Sequence, residues 1–149
     1  MEDPRPQLEA ALKAAMKNKD NQRRDVIRMS LNALKQETID SQRELTAEDA
    51  VAILQREVKK RRESVEEYRR AGRDDLADTE QAELEILTEF MPRQLSEAEI
   101  RAIVSEVIAE TGATSARDMG RVMGPVMQRV KGAADGKLVN QIVREQLNA

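Results

Sequence analysis

Histidine and cysteine are absent from the 149 residues. Their absence excludes Ser-His-Asp and Cys-His nucleophilic machinery, thiolate redox chemistry, disulfides, and zinc sites built from His or Cys. Aromatic residues are almost missing as well. Tyr68 and Phe90 are the whole complement, too few for the stacking platforms that hold single-stranded nucleic acid. No long apolar run occurs: Ala50-Val-Ala-Ile-Leu54 is far short of the ~20 residues that span a bilayer. The start, Met1-Glu-Asp-Pro-Arg-Pro6, is polar and has no apolar leader core, so the expectation is a cytoplasmic protein without membrane contact. Neither a P-loop nor a Gly-x-Gly-x-x-Gly fingerprint is present. Acid–base work by Glu, Asp or Lys and a carboxylate-bound Mg²⁺ survive these exclusions. A general acid, however, needs a carboxyl group lifted by burial, and the acidic residues here fall on polar helix faces. No catalytic residue, metal site or cofactor is assigned.

What is there is charge and helical period. Lys and Arg total 25 against 28 Asp and Glu, a net charge of −3, so whole-chain attraction to nucleic acid is not expected. Leu8, Ala11, Leu12, Ala15 and Met16 share one face of a first helix, and Val26, Ile27, Leu31, Leu34 and Ile39 form a second stripe. Thr46, with Asp49 three residues on, opens a third helix. Its seam runs Val51, Leu54, Val58, Val65, Tyr68, with Arg61 at the one position that is not apolar, and Gly72 is placed to end it. Leu76, Leu84, Leu87 and Met91 mark a fourth helix that must stop before Pro92. Residues 56–73 hold eight basic side chains against four glutamates, and residues 74–90 hold seven acidic and no basic ones. The two helices are therefore expected to lie antiparallel with their opposite charges facing.

Met91-Pro-Arg-Gln-Leu95 is the candidate boundary, dividing an N-terminal helical domain (1–92) from a three-helix C-terminal domain (96–149). Ser96 and Glu99 form a capping box ahead of Ile100, Ile103, Val104, Val107 and Ile108, and Gly112 stops that helix. Ser115 with Asp118 opens the next, whose apolar face is Met119, Val122, Met123, Val126, Met127 and Val130. Gly132 ends it, and Asp135 caps a last helix bearing Leu138, Val139, Ile142, Val143 and Leu147. The fold class expected is all-α, four helices followed by a compact three-helix unit.

Two segments invite a binding reading. Lys59-Lys60-Arg61-Arg62 is the densest basic cluster, able to meet phosphates or to face the acidic fourth helix. Arg117 to Lys137 carries five basic residues and two acidic ones. Gly120 and Gly124 lie four apart within it, each costing roughly 1 kcal/mol relative to alanine in a helix. Close packing of another helix is the ordinary reason for such a pair, and approach of a phosphate backbone to bare amides is the other. Pro125 removes an amide donor mid-helix and predicts a kink. Met119, Met123 and Met127 read as core filling.

At these residues the sequence resembles a known family. Pro92-Arg-Gln-Leu-Ser96, Gly112-Ala113, Asp118-Met-Gly-Arg-Val-Met-Gly124 and Lys131-Gly-Ala-Ala-Asp-Gly-Lys-Leu-Val139 resemble the YqeY family. That family is similar to the tail domain of the B subunit (GatB) of the bacterial glutamyl/aspartyl-tRNA amidotransferase. The resemblance implies the same two-part helical fold. It also implies tRNA recognition beside an aminoacyl-tRNA synthetase or amidotransferase. The family-level activity label, carbon–nitrogen ligation with glutamine as amide donor, belongs to domains this chain has no room for. By the same resemblance Arg117, Arg121, Arg129, Lys131 and Lys137 become phosphate-contact candidates, with Gly120, Gly124, Gly132 and Gly136 permitting close approach. A helical protein–protein adaptor with no nucleic-acid contact is the alternative.

Overall fold

The computed structural model describes residues 1–148 and is helical throughout, with no strand among them. Seven α-helices follow in order: α1 (Arg5–Lys17), α2 (Asn21–Ser41), α3 (Ala47–Arg70), α4 (Asp74–Thr88), α5 (Glu97–Thr111), α6 (Met119–Val130) and α7 (Gly136–Asn148). A single 3-10 turn, Ala116–Asp118, precedes α6. The chain forms two compact units, Met1–Pro92 and Arg93–Ala149.

In the first unit, Leu8, Val26, Ile27, Leu34, Ile53, Leu54, Val58, Leu84 and Leu87 close one core. Phe90 joins it, 4 % exposed, with the Arg23 guanidinium 5.4 Å above its ring. Helix α3 begins as its sequence dictates. Thr46 Oγ1 accepts from the Asp49 amide at 3.1 Å, and the Asp49 carboxylate accepts from the Thr46 amide at 2.9 Å. It ends where Gly72 adopts φ +74°, a left-handed conformation that only glycine takes without strain. The chain then returns as α4, antiparallel to α3, and stops at Thr88, three residues before Met91.

Four apolar expectations in this unit are not met. Met16, Ile39, Tyr68 and Leu76 are 51 %, 58 %, 36 % and 36 % exposed. Each sits at the edge or end of its stripe, where no further helix arrives to cover it. Arg61 explains the polar break in the α3 seam. It is buried, 8 % exposed, and its Nη1 donates to Glu83 at 2.6 Å and Glu80 at 3.3 Å on α4. The charged hairpin is thus joined through its interior and also across its surface, where Arg69 meets Asp74 and Asp78.

The second unit packs α5, α6 and α7 around Ile100, Val104, Val107, Val122, Val126, Val130, Val139, Ile142 and Val143. Ser96 and Glu99 satisfy each other's amides at the start of α5, and Gly112 ends that helix with φ +70°. The Leu95 amide donates to the Ala133 carbonyl at 2.8 Å and Gln94 Nε2 to the Gly132 carbonyl at 3.0 Å, so the entering strand of chain is tied to the α6–α7 turn.

Candidate nucleic-acid interface

Helix α6 divides cleanly. Val122, Val126 and Val130 are buried, and Met119, Met123 and Met127 pack half-buried against the same core, as their spacing predicts. With 3.6 residues per turn the opposite side carries two rows. Gly120, Gly124 and Gln128 form one, and Arg121, Pro125 and Arg129 form the other; all six are exposed.

Nothing among the described residues of its own unit fills the glycine row. A Cβ built on Gly120 or Gly124 would meet no heavy atom within 4 Å. Close packing within this unit, the ordinary reason for the pair, is therefore not the reason here. Gly124 has a local one: it precedes Pro125, whose ring disfavours helical geometry for a residue bearing a Cβ. Helix α6 accordingly runs through Pro125 from Met119 to Val130. Gly120 has no such neighbour and lies in open space.

The cations around this face are not equivalent. Arg121 leans back onto Asp118 at 2.9 Å. The Asp118 carboxylate also accepts from the Thr114 amide, and those two donors hold its pKa below the ordinary aspartate value. Arg129 is clamped by α5: its Nη1 donates to Glu106 at 3.0 Å and its Nη2 to Glu110 at 2.7 Å. The hydrogen bond that Arg129 donates to Glu110 is the main reason it holds its proton above the usual guanidinium value. Two carboxylates thus more than neutralise it. Arg117 and Lys137 are exposed and make no ion pair among the described residues. Lys131 is exposed at the far end of α6. Gly136 opens α7 close to α6, with a Cβ there standing 3.8 Å from Met127 Cε, and Asp135 accepts from the Lys137 amide at 3.3 Å. Gly132, buried with φ +76°, serves the turn after α6 and presents no open surface.

Of the nine residues singled out in the sequence, the fold therefore brings Gly120, Gly124 and Arg121 onto one exposed helix face. Arg129 points from the edge of that face to α5. The missed partners of Arg129 are Glu106 and Glu110, whose four-residue spacing on a polar stripe of α5 was the available signal. Charge is unevenly distributed along the unit's sequence. Residues 93–114 hold two basic and four acidic side chains, and residues 115–137 hold five and two. No large hydrophobic side chain of this unit is among the strongly exposed ones; Met1, Met16, Met29, Ile39, Tyr68 and Leu76 all lie in the first unit. Among the described residues no cluster of carboxylates is placed to hold a metal ion, and no helix is long and apolar enough to cross a membrane.

The geometry defines a two-unit, all-helical protein whose second unit presents a glycine-notched, locally basic helix. The profile of the family described as Yqey-like protein matches residues 5–147. The chain belongs to the YqeY-like family. It is 36 % identical to "Altered inheritance of mitochondria protein 41, mitochondrial" of Lachancea thermotolerans, over 69 % of this chain and 57 % of that one. It is 33 % identical to the protein of the same name in Pyrenophora tritici-repentis, over 97 % of this chain and 81 % of that one. The Clavispora lusitaniae protein of that name is 32 % identical over 73 % and 65 % of the respective chains. The chain thus spans little more than half of the first of these relatives. Their names correct the cytoplasmic expectation: four such relatives are mitochondrial proteins, and a polar start is no guide to compartment.

Proposed function

We propose that this protein is a non-catalytic RNA-docking module that binds folded RNA of the tRNA class through the outer face of α6 and the turns flanking it. The observation that carries the reading is Gly120: an exposed helical glycine with open space where its side chain would be. A glycine held in a helix at a cost, with nothing among the described residues of its own unit to fit against, is accounted for by a partner that approaches the backbone closely. Arg117 and Lys137, without an ion pair among the described residues, belong to the more basic stretch of the unit's sequence. Phosphate contacts need such cations, and folded RNA is read by shape, 2′-hydroxyls and phosphates rather than by stacking. That suits a unit with no aromatic residue. A partner helix with an apolar face is less well matched, because no large exposed hydrophobic lies beside the notch. The choice of tRNA within folded RNA rests on the resemblance of residues 92–139 to the amidotransferase tail domain.

Titration of labelled tRNA and of a DNA duplex of equal length at low salt tests the reading. Tighter binding of tRNA is expected. Equal affinity for the two polyanions would leave only nonspecific charge attraction and sink the proposal.

A further inference from the structure

Because cysteine is absent, the seven methionines are the sulfur that an oxidant meets in this chain. Met1, Met16 and Met29 are exposed, Met29 most of all at 59 %. Two of these place their sulfur 3.8 Å from an arginine Nη2: Met16 beside Arg28, and Met29 beside Arg61. The two arginines differ. Arg28 is exposed, so water already serves its guanidinium. Arg61 is buried where α2 crosses the α3–α4 hairpin. Its Nη1 is taken by Glu80 and Glu83, and its Nη2 has the Met29 sulfur as its sole acceptor among the described residues. A thioether is a weak acceptor, and a buried guanidinium N–H without a strong one is costly.

We propose that Met29 is a site of reversible oxidation by peroxide, and that its sulfoxide oxygen accepts the hydrogen bond of Arg61 Nη2 and tightens the joint between α2 and the hairpin. In the forward step the sulfur lone pair attacks one peroxide oxygen. The S–O bond forms as the O–O bond breaks, and the departing hydroxide takes up the proton that the sulfur-bound oxygen sheds, leaving sulfoxide and water. Sulfur is oxidised by two electrons and the peroxide reduced by the same two. Reversal needs two thiols from a sulfoxide reductase, since this chain has none: the oxygen leaves as water and the thiols end as a disulfide. Oxidation of methionine ordinarily disrupts a core because it makes an apolar side chain polar. Met29 escapes that penalty by standing in water, while its new oxygen meets the one terminal nitrogen of Arg61 that has no carboxylate partner.

The test uses the full chain, exposed to hydrogen peroxide until peptide mass spectrometry shows Met29 converted, with thermal unfolding followed beside Met29→Leu and Met29→Gln. Oxidation is expected to raise the melting temperature of the unmodified sequence by a few degrees. The same treatment leaves Met29→Leu unchanged, although Met1 and Met16 still oxidise there. Met29→Gln, which offers an amide oxygen to Nη2, melts above Met29→Leu without peroxide. A sulfoxide reductase returns the oxidised protein to its starting temperature. Equal shifts in the unmodified sequence and Met29→Leu, or Met29→Gln no more stable than Met29→Leu, would overturn the latch, and a gain that survives reduction would overturn its reversibility.

Discussion

Replacing Gly120 by alanine separates a glycine kept for the fold from one kept for a partner. The position is the second residue of α6, it is exposed, and an added Cβ meets nothing within 4 Å. Alanine there brings no clash and removes conformational freedom from the unfolded chain. The expected gain is about 0.5–1 kcal/mol. For a unit of this size that corresponds to a rise of about 2–8 °C in melting temperature. Calorimetry of Gly120→Ala beside Gly124→Ala measures it. Gly124 precedes Pro125, so alanine at 124 brings a Cβ against the proline ring and gives no such gain. The larger Gly120→Gln fills the notch without altering charge and is expected to weaken tRNA binding while leaving the fold intact. Loss of stability in Gly120→Ala would show that the glycine serves packing or backbone geometry, and the argument for a close-approaching partner would fail.

Three further outcomes follow from the ion pairs. Arg61→Met leaves Glu80 and Glu83, whose side chains are 23 % and 27 % exposed, without their counterion. Breaking a fully buried pair costs about 3–5 kcal/mol, and partial solvation brings the expected loss to about 2–3 kcal/mol by urea denaturation; adding Glu80→Gln and Glu83→Gln should recover most of it, and no recovery would refute the assignment. Acid stability reports the helix caps. The pKa of Asp49 is lowered first by the hydrogen bond from Arg43 and then by the Thr46 amide, that of Asp118 by the Thr114 amide and that of Glu99 by the Ser96 amide, so their contribution is complete above the ordinary values of 3.8, 3.8 and 4.5 and is lost as pH falls through the lower folded ones. Glu80 runs the other way: burial raises its pKa, so its contribution declines as pH rises above 4.5. Melting temperatures should therefore fall steadily below pH 4.5, less steeply in Asp49→Asn, and an unchanged slope in that variant would contradict the joint contribution of the Arg43 pair and the cap. Arg129→Gln frees two exposed carboxylates, costs less than about 1 kcal/mol, and is expected to change tRNA affinity less than loss of Arg117 or Lys137 does; a larger effect on binding would return Arg129 to the interface.

The helices and their ends were legible because they are local. Thr46, Ser96, Ser115, Gly72 and Gly112 act through amides within a few residues, and the structure shows each in the role its spacing dictates. The polar interruption at Arg61 was visible in the α3 seam, and its partners were on the acidic helix expected to face it. What was not legible depended on three-dimensional neighbours. Ile39 lies at the edge of a correct apolar stripe, and only the absence of a covering helix exposes it. Phe90 falls past the end of α4 and enters the core by the path of the chain rather than by helical period. At the candidate interface, the composition of residues 117–137 showed five cations but not their ties. Arg129 is bound from a helix some twenty residues earlier, and no local pattern on α6 records it. The open space at Gly120 is likewise a fact about what the rest of its unit leaves uncovered.

RNA docking as proposed requires that Arg117, before α6, and Lys137, at the start of α7, meet RNA phosphates. Fluorescence anisotropy of labelled tRNA between about 50 and 200 mM salt, with the unmodified sequence and with Arg117→Glu/Lys137→Glu, tests it most directly, because each phosphate contact contributes about 0.9 to the slope of log affinity against log salt. Weaker binding by the double variant, a slope shallower by about 2, and an unchanged melting temperature are expected. Equal affinity and equal slope for the two proteins would contradict it.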